Sequence, residues 1–529
     1  MNRMLLCVPA LLPLVGGMAL LLVNQFGRSR VQPVNGNTDA DIDAPALYFG
    51  KLEWYVEGLT VMNSLVLAAL IFGQSRESQV LFRLYGNLTV MFKLDGLGQV
   101  FAGLIAFLWP LAVLYSFEYM RHEKRKAVFF SFYLMTYGVT SGIALAGNLI
   151  TLYLFYEMLT LVTFPLVLYP MTKEARQASR KYLYYSIGGA AFAFLGLVFV
   201  LSFSSTGNTI FRPGGILNQE AAGAQKQILL AAYLVAFFGF GVKAALFPCH
   251  GWLPKATVAP TPVTALLHAV AVVKSGAFAI LRLTYYSFGT AFLRGTWAHG
   301  VVMAAAMISI AYGSTMAVRE AHWKRRLAYS TVSNLSYILL GAAMMSPLGL
   351  VAALSHMVFH AFMKICSFFC AGAVMHQTGK THVYELDGLG RQMPVTFGCL
   401  TVASLSLIGI PLFAGFISKW NIAKAAFDCG ARFAASGALG VWTGVLPYLA
   451  VGVLLYSAFM TAIYMLTVLV RAYAPVTAGR DGAVASETWS DPNWLMLAPL
   501  LIFAVIIIGF GLHSQPLMEL LYEIGGVAG

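Results

Sequence analysis

Charge is scarce in this sequence. Only 10% of its 529 residues are Asp, Glu, Lys or Arg, where an ordinary soluble domain carries about a quarter. That excludes a disordered chain and an ordinary cytosolic enzyme. Cysteine is scarce as well. Six cysteines in so long and apolar a chain exclude a secreted disulfide scaffold, and Cys7, Cys249, Cys366, Cys370, Cys399 and Cys429 contain no CxxC pair, which gives no case for an iron–sulfur or zinc site. Cys366 and Cys370 stand one helical turn apart in an apolar run and read as packing residues. Long polar stretches are missing too. Segments 25–50, 74–94, 205–226 and 471–491 are the polar ones, and none is long enough to hold a catalytic domain. No cofactor is expected. Gly239-Phe-Gly241-Val-Lys-Ala244 has the form of a dinucleotide fingerprint, but it lies inside an apolar run with no strand before it. Gly138/Gly142 and Gly440/Gly444 read as small-residue helix contacts.

What is present is apolar. Hydrophobic residues make up 59% and the mean hydropathy is +0.75. At about 20 residues per span, the runs predict fourteen membrane helices, near 4–24, 53–73, 97–119, 127–146, 149–171, 180–204, 228–257, 260–286, 300–318, 327–345, 350–376, 394–424, 438–470 and 492–513. The expected fold is an all-α polytopic membrane protein. An outer-membrane barrel is excluded, because its strands alternate over about ten residues. The N-terminus resembles a signal sequence without a clear cleavage site and reads as a retained first helix.

The net charge of +13 does not indicate nucleic acid. The basic residues cluster at Arg28/Arg30, Arg121 to Lys126, Lys173 to Lys181, Arg319 to Arg326, Lys380/Arg391 and Arg471/Arg480. Each cluster follows an odd-numbered run, which predicts cytoplasmic loops and both termini outside a cell membrane. Segment 74–95, on the outer side, is a partial exception with Arg76, Arg83 and Lys93. Within it, two β-prone runs flank Gly86-Asn87, a turn that suits a hairpin near 79–94. Asp95 is placed to cap the third helix.

Two runs are interrupted. The seventh contains Pro248 and Pro254, and the twelfth contains Gly409-Ile-Pro411 and Gly415. Proline removes a helical hydrogen bond, and irregular backbone at membrane depth survives only against protein or a wet cavity. Two breaks five helices apart suggest inverted repeats, helices 4–8 (127–286) and 9–13 (300–470). They would be flanked by an N-terminal part (1–126) and a linker with helix 14 (471–529).

Ionisable groups inside the runs carry the functional signal. Each costs about 2.5–3.5 kcal/mol at a helix centre on insertion scales. Glu157, Lys243, Lys274, Lys364 and Lys419 are the deep ones, with His268, His356 and His360 among them. His356, His360 and Lys364 are spaced i, i+4, i+8, one stripe on a helix rising about 12 Å. Such a stripe reads as a water-linked proton relay, with a structural hydrogen-bond ladder as the alternative. Metal binding is not expected, since the His pair has no third ligand. A Glu–Lys pair about 7 Å apart, in an effective dielectric of about 20, interacts by about 2.4 kcal/mol. Moving Glu157 would then change the proton affinity of Lys243 more than tenfold. The alternatives are a protonated packing carboxyl for Glu157, a snorkelling lysine for Lys243 and an interfacial lysine for Lys419.

These residues resemble the antiporter-like proton-translocating subunit family. It comprises the large subunits of respiratory NADH:quinone oxidoreductase, of multisubunit cation/proton (Mrp-type) antiporters and of energy-converting membrane-bound hydrogenases. The resemblance rests on Phe92-Lys-Leu-Asp-Gly-Leu97, Tyr156-Glu-Met158, Val242 through Pro254 and on to His268, Lys324 through Ser330, Ser355 through Lys364 and Ile410 through Lys419. It implies fourteen helices with two inverted five-helix repeats. It casts Glu157 as the fifth-helix glutamate, Lys243 as the lysine of the first broken helix, His268 and Lys274 as connecting residues, His356, His360 and Lys364 as the eleventh-helix relay, and Lys419 as the terminal charge. It implies a non-catalytic subunit that moves protons, or Na⁺, within a larger complex. The implied partners are other membrane subunits, including paralogous antiporter-like ones, and iron–sulfur or nickel–iron subunits. A redox-independent Na⁺/H⁺ antiporter subunit is the alternative, with a lone solute carrier more distant. Three departures lean towards the antiporter and hydrogenase branches: Lys255 where many relatives have an acid, Lys rather than Glu at 419, and a chain that stops at Gly529 with no long lateral helix.

Overall fold

The computed structural model describes residues 3–29, 47–73, 77–205, 209–435, 441–474 and 488–527. Arg30, Arg76, Gly440, Arg480 and the linker at 475–487 lie outside the described residues.

Among those residues, twelve helices are long and apolar enough to cross a membrane. Two further helical segments complete fourteen. The tenth, Trp323–Ala343, fails an apolarity test because it opens on Lys324-Arg-Arg326 and carries Ser330, Ser333, Asn334 and Ser336. Those four side chains are buried within the bundle, so they meet protein and not lipid. The twelfth is split into Pro394–Ile408 and Ala414–Ala435.

Between the second span (Leu47–Phe72) and the third (Gly96–Tyr119), β1 (Ser78–Tyr85) and β2 (Leu88–Lys93) form an antiparallel hairpin. Gly86, with φ of 51°, supplies the turn. Asp95 caps the third span, accepting from the N–H of Gly98 at 2.9 Å.

Three spans are irregular, one more than the sequence suggests. The seventh, Lys226–Lys243, ends directly after Lys243, five residues before Pro248. Ala245 there takes a positive φ of 54°. Two single-turn helices, Cys249–Trp252 and Lys255–Val258, then lead to the eighth span. The indole of Trp252 donates to the carbonyl of Val242 at 2.8 Å, satisfying one acceptor freed at the helix end. The eighth runs Thr261–Ala269, breaks at Val270-Ala271, resumes as Val272–Leu281 and closes in a π-helix, Arg282–Phe288. No proline or glycine marks that interruption. The N–H groups of Val270 and Ala271 both turn back to the carbonyl of Leu266. In the twelfth, Gly409 (φ 91°) and Leu412 (φ 77°) hold the gap open.

The fourth (Lys126–Ala144), fifth (Leu149–Leu168), sixth (Lys173–Ser202), seventh and eighth spans pack in succession. So do the ninth (Trp297–Arg319), tenth, eleventh (Pro347–Thr378), twelfth and thirteenth (Val441–Tyr473). The eleventh is buried along its membrane window and is the central strut. The fourteenth (Trp494–Leu512) and the helix Gln515–Gly525 lean on it.

Candidate proton relay at the bundle centre

Lys243, Lys274 and Lys364 are fully buried, as are His268, His356 and His360. Glu157 and Lys419 are half-buried. The eight residues singled out in the sequence come from five spans, and the fold brings most of them into one line.

The line begins at Lys243, the last residue of the seventh helix. Its ammonium donates to the carbonyl of Tyr156 and lies 3.4 Å from the centroid of that residue's ring. The acceptor is thus one residue before Glu157. Glu157 makes no direct ion pair with the lysine, and its Oε1 is buried without a hydrogen-bond partner. The two charges still act on each other through space. The eighth span closes on Lys243 at Gly276, where an added Cβ would stand 2.5 Å from the N of Ala244 and 3.1 Å from Lys243 Cβ. Lys274 lies two residues before that contact.

The ammonium of Lys274 is hydrogen-bonded to Nδ1 of His360 on the eleventh span. One turn away the rings of His360 and His356 stack, with centroids 5.6 Å apart and planes at 22°. His356 Nδ1 meets the hydroxyl of Ser418 at 2.9 Å. The next residue is Lys419, whose ammonium donates to the carbonyls of Leu407 and Ile408 at 2.7 and 2.9 Å. Those carbonyls end the first half of the broken twelfth helix, the negative end of its dipole, where a cation is favoured. Tyr337 bridges the step, with its ring 5.1 Å from His356 and 5.6 Å from the Lys419 ammonium.

Lys364 branches off. It donates to the Ser330 hydroxyl at 2.7 Å and the Leu327 carbonyl at 3.1 Å, and Ser330 meets the Tyr464 hydroxyl at 2.6 Å. His268 makes no hydrogen bond at either ring nitrogen. Its ring lies 4.8 Å from that of Phe368, tilted by 48°, and is within electrostatic reach of Lys364 and Lys274. Nε2 of His356 and of His360 are likewise buried and unpartnered. Three imidazoles with open nitrogens, between lysines, can take up and pass on protons through intervening water.

The family described as NADH:quinone oxidoreductase/Mrp antiporter, TM, matches residues 146–447. That described as NADH-ubiquinone oxidoreductase (complex I), chain 5 N-terminus, matches 85–130. The chain belongs to the NADH:quinone oxidoreductase/Mrp antiporter family. It is 30% identical over 440 residues to the NADH-quinone oxidoreductase subunit N of Desulforudis audaxviator, covering 79% of this chain and 80% of that one. It is 34% identical over 349 residues to a Na(+)/H(+) antiporter protein of Alkalihalophilus pseudofirmus, covering 63% of this chain and 42% of the relative. The chain therefore spans under half of that antiporter protein. Solved structures share the fold. A chain of an archaeal membrane-bound sulfane sulfur reductase superposes with a TM-score of 0.77 at 21% identity, covering 98% of this chain and 97% of that one. A chain of the Mrp complex from Dietzia sp. superposes at 0.76 and 20%, covering 98% and 96%. This protein is thus an antiporter-like membrane subunit.

Two further buried contacts tie the spans together. Arg282, fully buried at the start of the π-helix, grips Asp95 in a bidentate ion pair, one arm at 2.6 Å. Phe211, Phe278 and Tyr286 surround the guanidinium at 4.7 to 5.0 Å. Arg282 falls inside the expected eighth run, so its depth was a readable signal. Its partner, 187 residues away, was not. Lys324 donates to the carbonyl of Ala259 at 3.0 Å, fastening the tenth helix to the turn before the eighth. Tyr337 carries no sequence signal, and Tyr156 and Ser418, though inside the stretches that carry the resemblance, have no assigned role until the fold places them.

Proposed function

We propose that this subunit conducts protons along the line Lys243, Lys274, His360, His356 and Lys419, with Lys364 and His268 as side stations. The reading rests above all on the Lys274–His360 contact, which joins the eighth span to the eleventh. Protonating Lys243 or Lys274 makes a cation in a dry bundle, costly unless an acceptor or water stands ready. Each lysine has such an acceptor: a carbonyl at Lys243 and Lys419, an imidazole at Lys274, a hydroxyl at Lys364. Glu157 acts as the coupling switch. Its charge next to the Tyr156 carbonyl holds the proton on Lys243, and withdrawing it releases that proton towards Lys274.

Two units, 127–286 and 300–470, each carry one half of the path, with 1–126 and 471–529 as flanks. Both termini face outside the cell membrane, as the basic loops suggest. The protein works beside other membrane subunits, and redox energy comes from iron–sulfur or nickel–iron subunits of the same complex. A redox-independent Na⁺/H⁺ antiporter is the second reading, favoured by the likeness to the Na(+)/H(+) antiporter relative and by Lys255 and Lys419.

Mild-detergent purification of a tagged copy, with mass spectrometry and iron and nickel analysis, tests the choice. Metal-bearing partners, and a pH gradient in vesicles only when an electron donor is added, are the expected outcome. Metal-free hydrophobic partners, with a Na⁺-dependent pH gradient and no donor, would overturn the redox reading in favour of the second.

A further inference from the structure

A second group of buried polar side chains lies away from this line, between the second, third and fourth spans. On the second span Glu57, Thr60, Asn63 and Ser64 share one face, three to four residues apart, and Thr60 and Asn63 are fully buried. The Ser64 hydroxyl meets the Tyr137 hydroxyl of the fourth span at 2.7 Å. Trp109 of the third span stacks on Tyr137, with centroids 4.8 Å apart and planes at 10°. Tyr133, one turn from Tyr137, faces Ser116.

Several polar atoms here lack a full partner. Glu57 Oε2 and Trp109 Nε1 are buried with no hydrogen-bond partner, while the Asn63 amide approaches the Tyr137 hydroxyl and the Tyr133 hydroxyl approaches Ser116 without a well-formed hydrogen bond. Orphaned buried polar atoms are rare, and two of them beside a loosely met amide and hydroxyl call for an occupant. The set decides its chemistry. Trp109 Nε1 and the Asn63 amide nitrogen only donate, while Glu57 Oε2 and Asn63 Oδ1 can accept. A bare cation would leave the donors unmet. Water meets both kinds and needs two to four polar partners.

We infer that the second, third and fourth spans enclose a file of water that ends on Glu57, which binds and releases a proton. From Glu57 to Ser64 is seven residues, a rise of about 10 Å, a length for a few waters in line. The file opens towards a charged rim one turn from Glu57, where Glu53 lies within reach of Lys126, Arg121 and Glu118. At the other end Leu67 and Leu70, both fully buried, close it. It is therefore a proton-loading inlet on one membrane face, distinct from the lysine–histidine line and independent of it.

Two measurements on the intact complex in membranes test this. Hydroxyl-radical footprinting of the wild-type chain needs no substitution. Tyr133, Tyr137 and Trp109 are expected to oxidise at least fivefold faster than Tyr115, which is equally buried but stacked on Phe369. Equal protection of all four would overturn the water file. Infrared difference spectra on a pH step then compare wild type with Glu57→Gln, a near-isosteric change. Loss of one carboxyl C=O band in the variant is expected, and an unchanged spectrum would overturn the proton site. Lys243→Ala should leave that band in place, so failure of this inference and failure of the relay give different results.

Discussion

At the scale of single residues, the ion pair between Arg282 and Asp95 makes a sharp prediction. Burial pushes the Asp95 carboxyl up, but the Arg282 guanidinium and the N–H of Gly98 pull it down further, leaving it below its usual range. A depressed carboxylate contributes stability that is present above its unfolded pKa, about 3.9, and is lost as pH falls through the folded value. Asp95→Asn should therefore destabilise the purified complex at pH 7 by about 3 kcal/mol. That is the lower end for breaking a buried pair, since the Asp95 side chain retains 25% exposure. The thermal midpoints of variant and wild type should begin to converge below about pH 4 and meet once pH has fallen through the lowered folded value of Asp95. A gap that does not narrow at all as pH falls below about 4 would mean the pair acts by packing and not by charge. Residues of this kind mark what a sequence can disclose. Lys243, Lys274 and Lys364 were legible because a charge in an apolar run is costly and so is rarely idle. Glu157 and the His356/His360 stripe were legible by the same isolation and by spacing. Ser418 and Tyr337 were not, because a serine or tyrosine in a span is ordinary until its neighbour across the bundle is known.

At the scale of elements, the breaks differ in how they were written. The twelfth announces itself through Gly409 and Pro411, and the structure uses both the left-handed glycine and the gap that follows. The seventh announces itself through Pro248, yet the helix stops five residues earlier. Gly276 of the eighth span presses there on Ala244 and Lys243, and Ala245 takes the positive φ. The break in the eighth at Val270-Ala271 has no local signal, so tertiary packing makes it. Gly276, two residues after Lys274, packs on the backbone at Lys243 and Ala244, and a larger residue must displace the end of the seventh helix. Gly276→Val should cut ion transport more than tenfold, while mass spectrometry still finds the protein in its complex. Transport within twofold of wild type would show that this packing does not set the path.

At the scale of the whole molecule, fourteen helical segments and the hairpin follow from hydropathy, turn residues and length alone. The tenth helix is the instructive case. Its serines, asparagine and basic first turn weaken its apolar signal, yet it is buried because it carries the acceptors that Lys364 needs. A helix with this many polar side chains is thus buried against protein, its Ser330 meeting both Lys364 and Tyr464. If protons follow the proposed line, a buried lysine carries the coupled proton. The direct measurement is proton translocation in vesicles bearing the intact complex, driven by its own energy source, for wild type against Lys243→Ala. Translocation should vanish in the variant while the complex assembles with all its subunits. Unchanged translocation by an assembled Lys243→Ala complex would contradict the account.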